Sequence, residues 1–221
     1  MSDAEINPLP SASGADIVPL RRKRPKPGER RVQILQALAT MLEQPGAERV
    51  TTAALAARLE VSEAALYRHF ASKAQMFEGL IEFIEQAVFS LINQIVEREN
   101  AAESTDASSG TRKACHVVSM VIQFAEKNPG MTRVMVGDAL VFENERLQQR
   151  MNQFFEKIEA TLKQCLRDSA ELNGSATPSV DAAVRASVLT AFVAGRLQRF
   201  ARSGFKRLPS EHLDASLALI L

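Results

Sequence analysis

Residues 51–73 read TTAALAARLEVSEAALYRHFASK and hold two short helical runs separated by a three-residue turn. Thr51 or Thr52 is placed to cap the first run, Ala53 to Leu59, where alanine favours helix and its small side chain permits close packing. Ser62 caps the second, which runs to about His69. Counting 100° per residue from Ser62, Ala65 and Leu66 point to one side, at roughly 300° and 40°. Glu63, Ala64, Tyr67 and Arg68 fill the arc from roughly 100° to 240°. One face of this helix is therefore dry and the other is free to read a surface. That spacing is the pattern of a helix-turn-helix, in which small residues at the start of the second helix let it enter a major groove. Tyr67, Lys73 and a threonine hydroxyl suit phosphate oxygens at the rim. His69 falls near the apolar arc and reads equally well as a packed structural histidine. Arg68 reads equally well as a solvated charge, and the whole unit as a surface hairpin.

The sequence on either side is helical too. From Glu29 to Gln44, Val32, Ile34, Leu35, Leu38, Met41 and Leu42 recur at helical spacing until Pro45-Gly46. Ser72 and Gln75 form a capping box that opens a long fourth helix. In it Met76, Leu80, Ile84, Ala87 or Val88, Leu91 and Ile95 make one apolar stripe that fades at residues 97–100. Residues 100–110 read as a polar surface loop. A fifth helix spans about 111–127 and is stopped at Asn128-Pro129-Gly130. Helices follow at about 131–138, 143–171 and 180–203, then an apolar segment from Ser210 to Leu221. Strand-like alternation is absent. The expected fold is all-α, about nine helices, with a three-helix helix-turn-helix unit over 29–74 on a larger helical body over 75–221. Residues 1–28 hold five of the nine prolines and read as a disordered arm ending in Arg21-Arg22-Lys23-Arg24. Those four cations suit loose attraction to phosphates or entry into a minor groove.

The 221 residues carry a net charge of +1, which excludes a uniformly basic coat. Divided along the chain, residues 1–20 are −3, residues 21–73 are +6 and residues 74–221 are −2. The cationic field sits on the unit that carries the helix-turn-helix, as nucleic-acid binding requires. No uninterrupted apolar run reaches the roughly 18 residues of a membrane span, and two cysteines are too few for a disulfide framework. These features read as a soluble protein of the cytoplasm. Enzyme readings find no Gly-rich phosphate loop, no nucleophile elbow and only three histidines. Cys115 and His116 diverge by about 100° on a helix, so neither a metal nor another cofactor is expected. The Met and Phe residues of the fifth to seventh helices read as core, or as the lining of a ligand cavity.

Residues 31–80 resemble the DNA-binding domain of the TetR family, with its Leu-Tyr-x-x-Phe-x-x-Lys signature at Leu66, Tyr67, Phe70 and Lys73. The strings at 80–85, 127–133 and 139–143 resemble the nucleoid-occlusion branch, and the similarity spans about residues 30–205. The resemblance implies a homodimer on palindromic double-stranded DNA that, once bound, antagonises polymers of the division GTPase FtsZ. It implies DNA contacts from Thr51, Ser62, Tyr67, His69 and Lys73, in a reading unit that also presents Thr52, Glu63, Ala64 and Arg68. It places an FtsZ-tail groove between the fourth and fifth helices, with Phe83, Lys127 and Asn128; Phe83 reads equally as core. The alternative within the family is a ligand-responsive repressor. An adaptor that does not bind DNA is a third reading. Two departures stand out. Glu60 occupies a turn position where the family has glycine, and Leu91 stands where the branch has a basic residue. Dimer contacts are expected from the eighth and last helices, through Val184, Val188, Leu189, Phe192, Leu197, Phe200 and the 213–221 run.

Overall fold

The computed structural model describes residues 28–44, 50–101 and 108–221. The arm at 1–27, including Arg21–Arg24, the stop at Pro45-Gly46 and most of the 100–110 loop lie outside the described residues. Among the described residues there is no strand. The order is α1 Glu29–Leu42, α2 Thr52–Arg58, α3 Glu63–Tyr67, α4 Lys73–Ala101, α5 Ser109–Lys127, α6 Pro129–Met135, α7 Glu145–Leu172, α8 Pro178–Arg202 and α9 Leu213–Ile220. The 3-10 turn Asp138–Leu140 joins α6 to the approach of α7.

The first three helices close over Ile34, Leu38 and Leu42 of α1, Leu55 of α2, Leu66 of α3 and Phe70, all at most 1% exposed. The same buried cluster runs on through Met76, Phe77, Leu80 and Ile84 of α4 into the body, so the small unit and the bundle share one core. Within the body α7 packs most extensively on α8, and α5 lies against α4, α7 and α8. By length and composition α4 has a window apolar enough to cross a bilayer, with a mean hydropathy of 1.3. Here it packs against α1, α5, α6 and α7, and its Glu85 accepts from the Arg150 guanidinium of α7 at 2.5 Å.

Several boundaries differ from the sequence reading. The breaker Asn128-Pro129-Gly130 does end α5, but Pro129 is also the first residue of α6, a position where a missing N–H costs nothing. The Asn128 side-chain amide donates to the Phe124 carbonyl at 2.7 Å and closes the α5 terminus. Gly130 is there for space: a Cβ would stand 1.9 Å from the Ala39 carbonyl oxygen of α1. The α6 backbone thus lies directly on the head. Gly110, read as loop, is buried inside α5, where a Cβ would meet the Cys165 carbonyl of α7 at 2.1 Å. Helix α3 stops at Tyr67, and α9 begins at Leu213.

The expected dimer face needs a larger correction. Leu189, Leu197 and Phe200 of α8 are at most 2% exposed and fill the core of their own protomer, as do Leu213 and Leu217 of α9. Of the expected face, Val184 and Val188 do lie outside, at 59% and 47% exposure, with Val180 of the same helix at 59%, and Leu219 of α9 is 89% exposed.

Candidate nucleic-acid interface

The two short helices are set by their caps. The Thr51 hydroxyl accepts from the Ala54 amide at 3.1 Å, and the Ser62 hydroxyl from the Ala65 amide at 3.3 Å. Thr51 is therefore the cap of α2, and Thr52 is its first residue. The turn between them places Glu60 at φ 54, the left-handed conformation expected where the family has glycine. The Val61 amide then donates to the Ala56 carbonyl at 3.0 Å, bending the chain back into α3.

The structure brings most of the expected reading residues to one exposed surface. Thr51, Ser62, Glu63, Ala64, Tyr67, Arg68 and His69 are exposed and Thr52 is partly so. Thr52 ties the two helices together: its hydroxyl donates to Glu63 Oε2 at 2.6 Å and accepts from the Tyr67 hydroxyl at 3.5 Å. His69 is not packed. Its ring is at the surface, while its carbonyl accepts from Arg31 Nη1 at 3.1 Å, and the same guanidinium lies 4.2 Å from the Phe70 ring centroid. Arg31 escaped the sequence reading because a cation in an amphipathic helix carries no mark of a partner 38 residues away.

Lys73 is engaged by the body. It opens α4 behind the Ser72 cap, and its ammonium is 2.5 Å from Glu143 Oε1. The capping box is offset by one residue: Gln75 accepts from the Ala71 amide, while the Gln75 amide donates to Ser72.

The second expected site divides in two. A groove of about 420 Å³ lies between α4 and α5, but its walls include Ile95, Arg98, Glu99, His116, Met120 and Gln123. Glu99 accepts from Arg112 Nε at 3.2 Å and pairs with His116 Nδ1 at 3.0 Å. Burial pushes the Glu99 carboxyl upward, but the Arg112 and His116 contacts overcome it and hold the group below its ordinary 4.5. Phe83 is elsewhere, 41% exposed and lining a small apolar hollow with Val32 and Leu35 of α1, Leu80 and Met131 of α6. Lys127 is exposed and Asn128 is half-buried at the α5–α6 corner. Leu91 is 38% exposed on α4. Cys115 and His116 do not act together: burial, with Asp214 adding to it, raises the Cys115 thiol, and His116 faces Glu99.

Residues 34–80 match the family described as bacterial regulatory proteins, tetR family, and residues 110–221 match the SlmA-like form of the tetracyclin repressor-like C-terminal domain. The chain is 50% identical over 187 residues to the nucleoid occlusion factor SlmA of Idiomarina loihiensis, covering 84% of this chain and 90% of that protein. The chain belongs to the SlmA family of TetR-type proteins. A second SlmA, from Vibrio cholerae, is 51% identical over 192 residues, 86% of this chain and 93% of its own. Among solved structures, the fatty acid degradation regulator FadR of Bacillus halodurans superposes with a TM-score of 0.69 at 16% identity, over 87% of this chain and 95% of that one. FadR of Bacillus subtilis, solved with stearoyl-CoA, gives 0.66 at 16%, over 86% and 96%. These two likenesses concern the fold. The SlmA relatives extend through the body, where the α4–α5 groove and α8 lie.

Proposed function

We propose that this SlmA-family chain is a sequence-specific DNA-binding nucleoid-occlusion factor of the cytoplasm, a binding protein and not an enzyme. It acts as a homodimer on palindromic sites and, once on DNA, inhibits FtsZ assembly over the chromosome. The observation that carries this reading is identity of about 50% to nucleoid occlusion factors along nearly the whole chain. The exposed face of α3 supports it: Glu63, Ala64, Tyr67 and Arg68 are offered to a groove, with Thr51, Thr52, Ser62 and His69 around them. In this reading Lys73 reaches a phosphate on binding, and the +6 charge of residues 21–73 provides the long-range attraction. The head over 29–74 reads DNA and the body over 75–221 supplies dimerisation and the partner surface. Phe83, Lys127 and Asn128 flank the partner surface, away from the α4–α5 groove at Glu99 and His116. The exposed valines of α8 form the dimer contact, isologous about a two-fold axis. Sedimentation of GTP-assembled FtsZ with the protein, with and without a duplex it selects from a random pool, tests the reading. Loss of polymer only in the presence of that duplex is expected, and undisturbed polymers in both arms refute it.

A ligand-responsive repressor is the second reading. It draws on a cleft of about 380 Å³ between α6, α7 and α8, lined by Met135, Met151 and Phe155 together with Asp138, Gln148 and Asn152. Release of DNA by a small apolar compound, with FtsZ unaffected, favours it.

A further inference from the structure

The body as a whole is acidic, but one segment of it is not. Between Asp181 and Glu211 the chain has six basic residues and no acidic one. Arg185 lies near the start of α8. Arg196 is spent internally, donating to the Glu211 carbonyl at 2.6 Å and to Ser216 at 2.8 Å. Arg199, Arg202, Lys206 and Arg207 are exposed at the end of α8 and in the turn after it. Among the described residues none of the four enters an ion pair or a side-chain hydrogen bond. Cations in a last helical turn complement the helix dipole, which accounts for Arg199 and Arg202. It does not account for Lys206 and Arg207, which lie beyond the helix.

The turn that presents them is built with some strain. The Phe205 amide closes on the Phe200 carbonyl and the Gly204 amide on that of Ala201. This needs positive φ at two successive residues, Gly204 at 63 and Phe205 at 64. A left-handed phenylalanine is sterically disfavoured, because its Cβ crowds the following carbonyl. It is held by the Phe200 ring, 5.1 Å between centroids, and by the Arg133 guanidinium 5.1 Å from its own centroid. Ser203 Oγ then accepts from both the Lys206 and Arg207 amides, at 3.1 and 2.9 Å, fixing where the two cations leave the backbone.

Arg133 belongs to α6, which lies on α1 at Gly130. The cationic turn is therefore at the end of the body that carries the reading head. Arg202 follows Val184 by 18 residues, about five turns of helix at 3.6 residues each, so it extends the exposed stripe of Val180, Val184 and Val188. With both heads on one duplex, the two-fold axis of the dimer proposed above runs across that duplex, so both α8 ends lie on the side of the heads, along the stripe that makes the contact. Eight cations there repel one another unless an anion lies between them, and the duplex linking two half-sites supplies it.

We propose that Arg199, Arg202, Lys206 and Arg207 form a second phosphate-binding surface, meeting the DNA backbone between the half-sites. It rests on the DNA-binding homodimer proposed above. The contact is with phosphate and adds affinity without sequence preference.

The test is fluorescence anisotropy on the full chain in which all four are replaced by Gln, titrated with salt on the selected palindrome and on a scrambled duplex. One phosphate lost per protomer lowers the log–log salt slope by about 1.8 per dimer, roughly 60-fold weaker binding at 0.1 M salt, equally on both duplexes. The triple variant Arg199→Lys, Arg202→Lys, Arg207→Lys keeps the charge and retains the slope. An unchanged slope in the Gln variant overturns the proposal. So does a variant that keeps its DNA binding but loses affinity for polyglutamate, which makes the occupant an acidic polypeptide. Failure of the unsubstituted protein to bind any duplex is a different result, since it removes the DNA-binding reading on which this surface depends.

Discussion

The Lys73 ammonium and the Glu143 carboxylate, 2.5 Å apart, join the first residue of α4 to the segment that leads into α7. A lysine at a helix N-terminus opposes the dipole, and Glu143 offsets this from a side chain only 10% exposed. The residue expected to grip a phosphate is thus held by the body before DNA arrives.

Where Lys73 reaches a phosphate, as proposed, Glu143 competes with DNA for it. Glu143→Gln should tighten binding to the selected duplex about fivefold, the equivalent of roughly 1 kcal/mol for one charge-assisted contact. Lys73→Gln should weaken binding and lower the salt slope by about 0.9 per protomer. Anisotropy titrations over a range of salt measure both. Weaker binding by Glu143→Gln would mean that the pair orients Lys73 for DNA and does not compete with it.

Gly130→Ala should separate head from body. Its Cβ would collide with backbone of α1, the Ala39 carbonyl, which cannot rotate away as a side-chain tip can. Overpacking of this kind costs about 1–3 kcal/mol, or roughly 2–12 °C in Tm for a domain of this size. Differential scanning calorimetry gives the shift. An unchanged Tm would show that α6 slides on α1 without loss.

At Glu60 the opposite sign is expected. Its φ of 54 places a Cβ where glycine has none, so Glu60→Gly should raise Tm by roughly 2–4 °C for about 1 kcal/mol of relieved strain. A lower Tm in the same scan would show that the glutamate side chain contributes more than the turn costs.

Acid should loosen the far end of the α4–α5 groove. The Glu99 carboxyl has a folded pKa below its unfolded value because Arg112 and His116 prevail over burial. Its stabilisation is fully present above the unfolded value of about 4.5 and is lost as pH falls through the lower folded one. Chemical denaturation from pH 6 to pH 3 should show a shallower decline for Glu99→Gln than for the unsubstituted chain. Parallel curves would remove Glu99 from the acid limb.

The helical plan was legible because its signals are local: Thr51 and Ser62 at caps and an apolar period in α4. The left-handed turn at Glu60 has no such signal, since a glutamate does not mark that conformation as glycine does. Pro129 misled, since proline ends one helix and begins the next with the same fixed φ. The α8 face misled for another reason. Leu189, Leu197 and Phe200 share helical spacing with one another, and spacing does not say whether a stripe is covered by its own chain or by a second one. The Lys73–Glu143 pair spans 70 positions and has no pattern in the sequence. The cationic end of α8 was legible in the absence of acids from 182 to 210, but averaging over the body concealed it.

Glu63 offers the sharpest test of base reading. It opens α3, a favourable place for a carboxylate, and Thr52 holds it by a 2.6 Å hydrogen bond on the exposed face. In the proposed reading a carboxylate there repels phosphates and accepts from the amino group of a cytosine, which makes it a specificity contact more than an affinity one. Glu63→Gln should bind a scrambled duplex about fivefold tighter, by relieving the repulsion, and reduce the selected-to-scrambled ratio by about tenfold, within the 1–3 kcal/mol of one base contact. Competition anisotropy with the two duplexes gives the ratio directly. A ratio that survives the substitution would confine Glu63 to the helix terminus and move base reading to Tyr67 and Arg68.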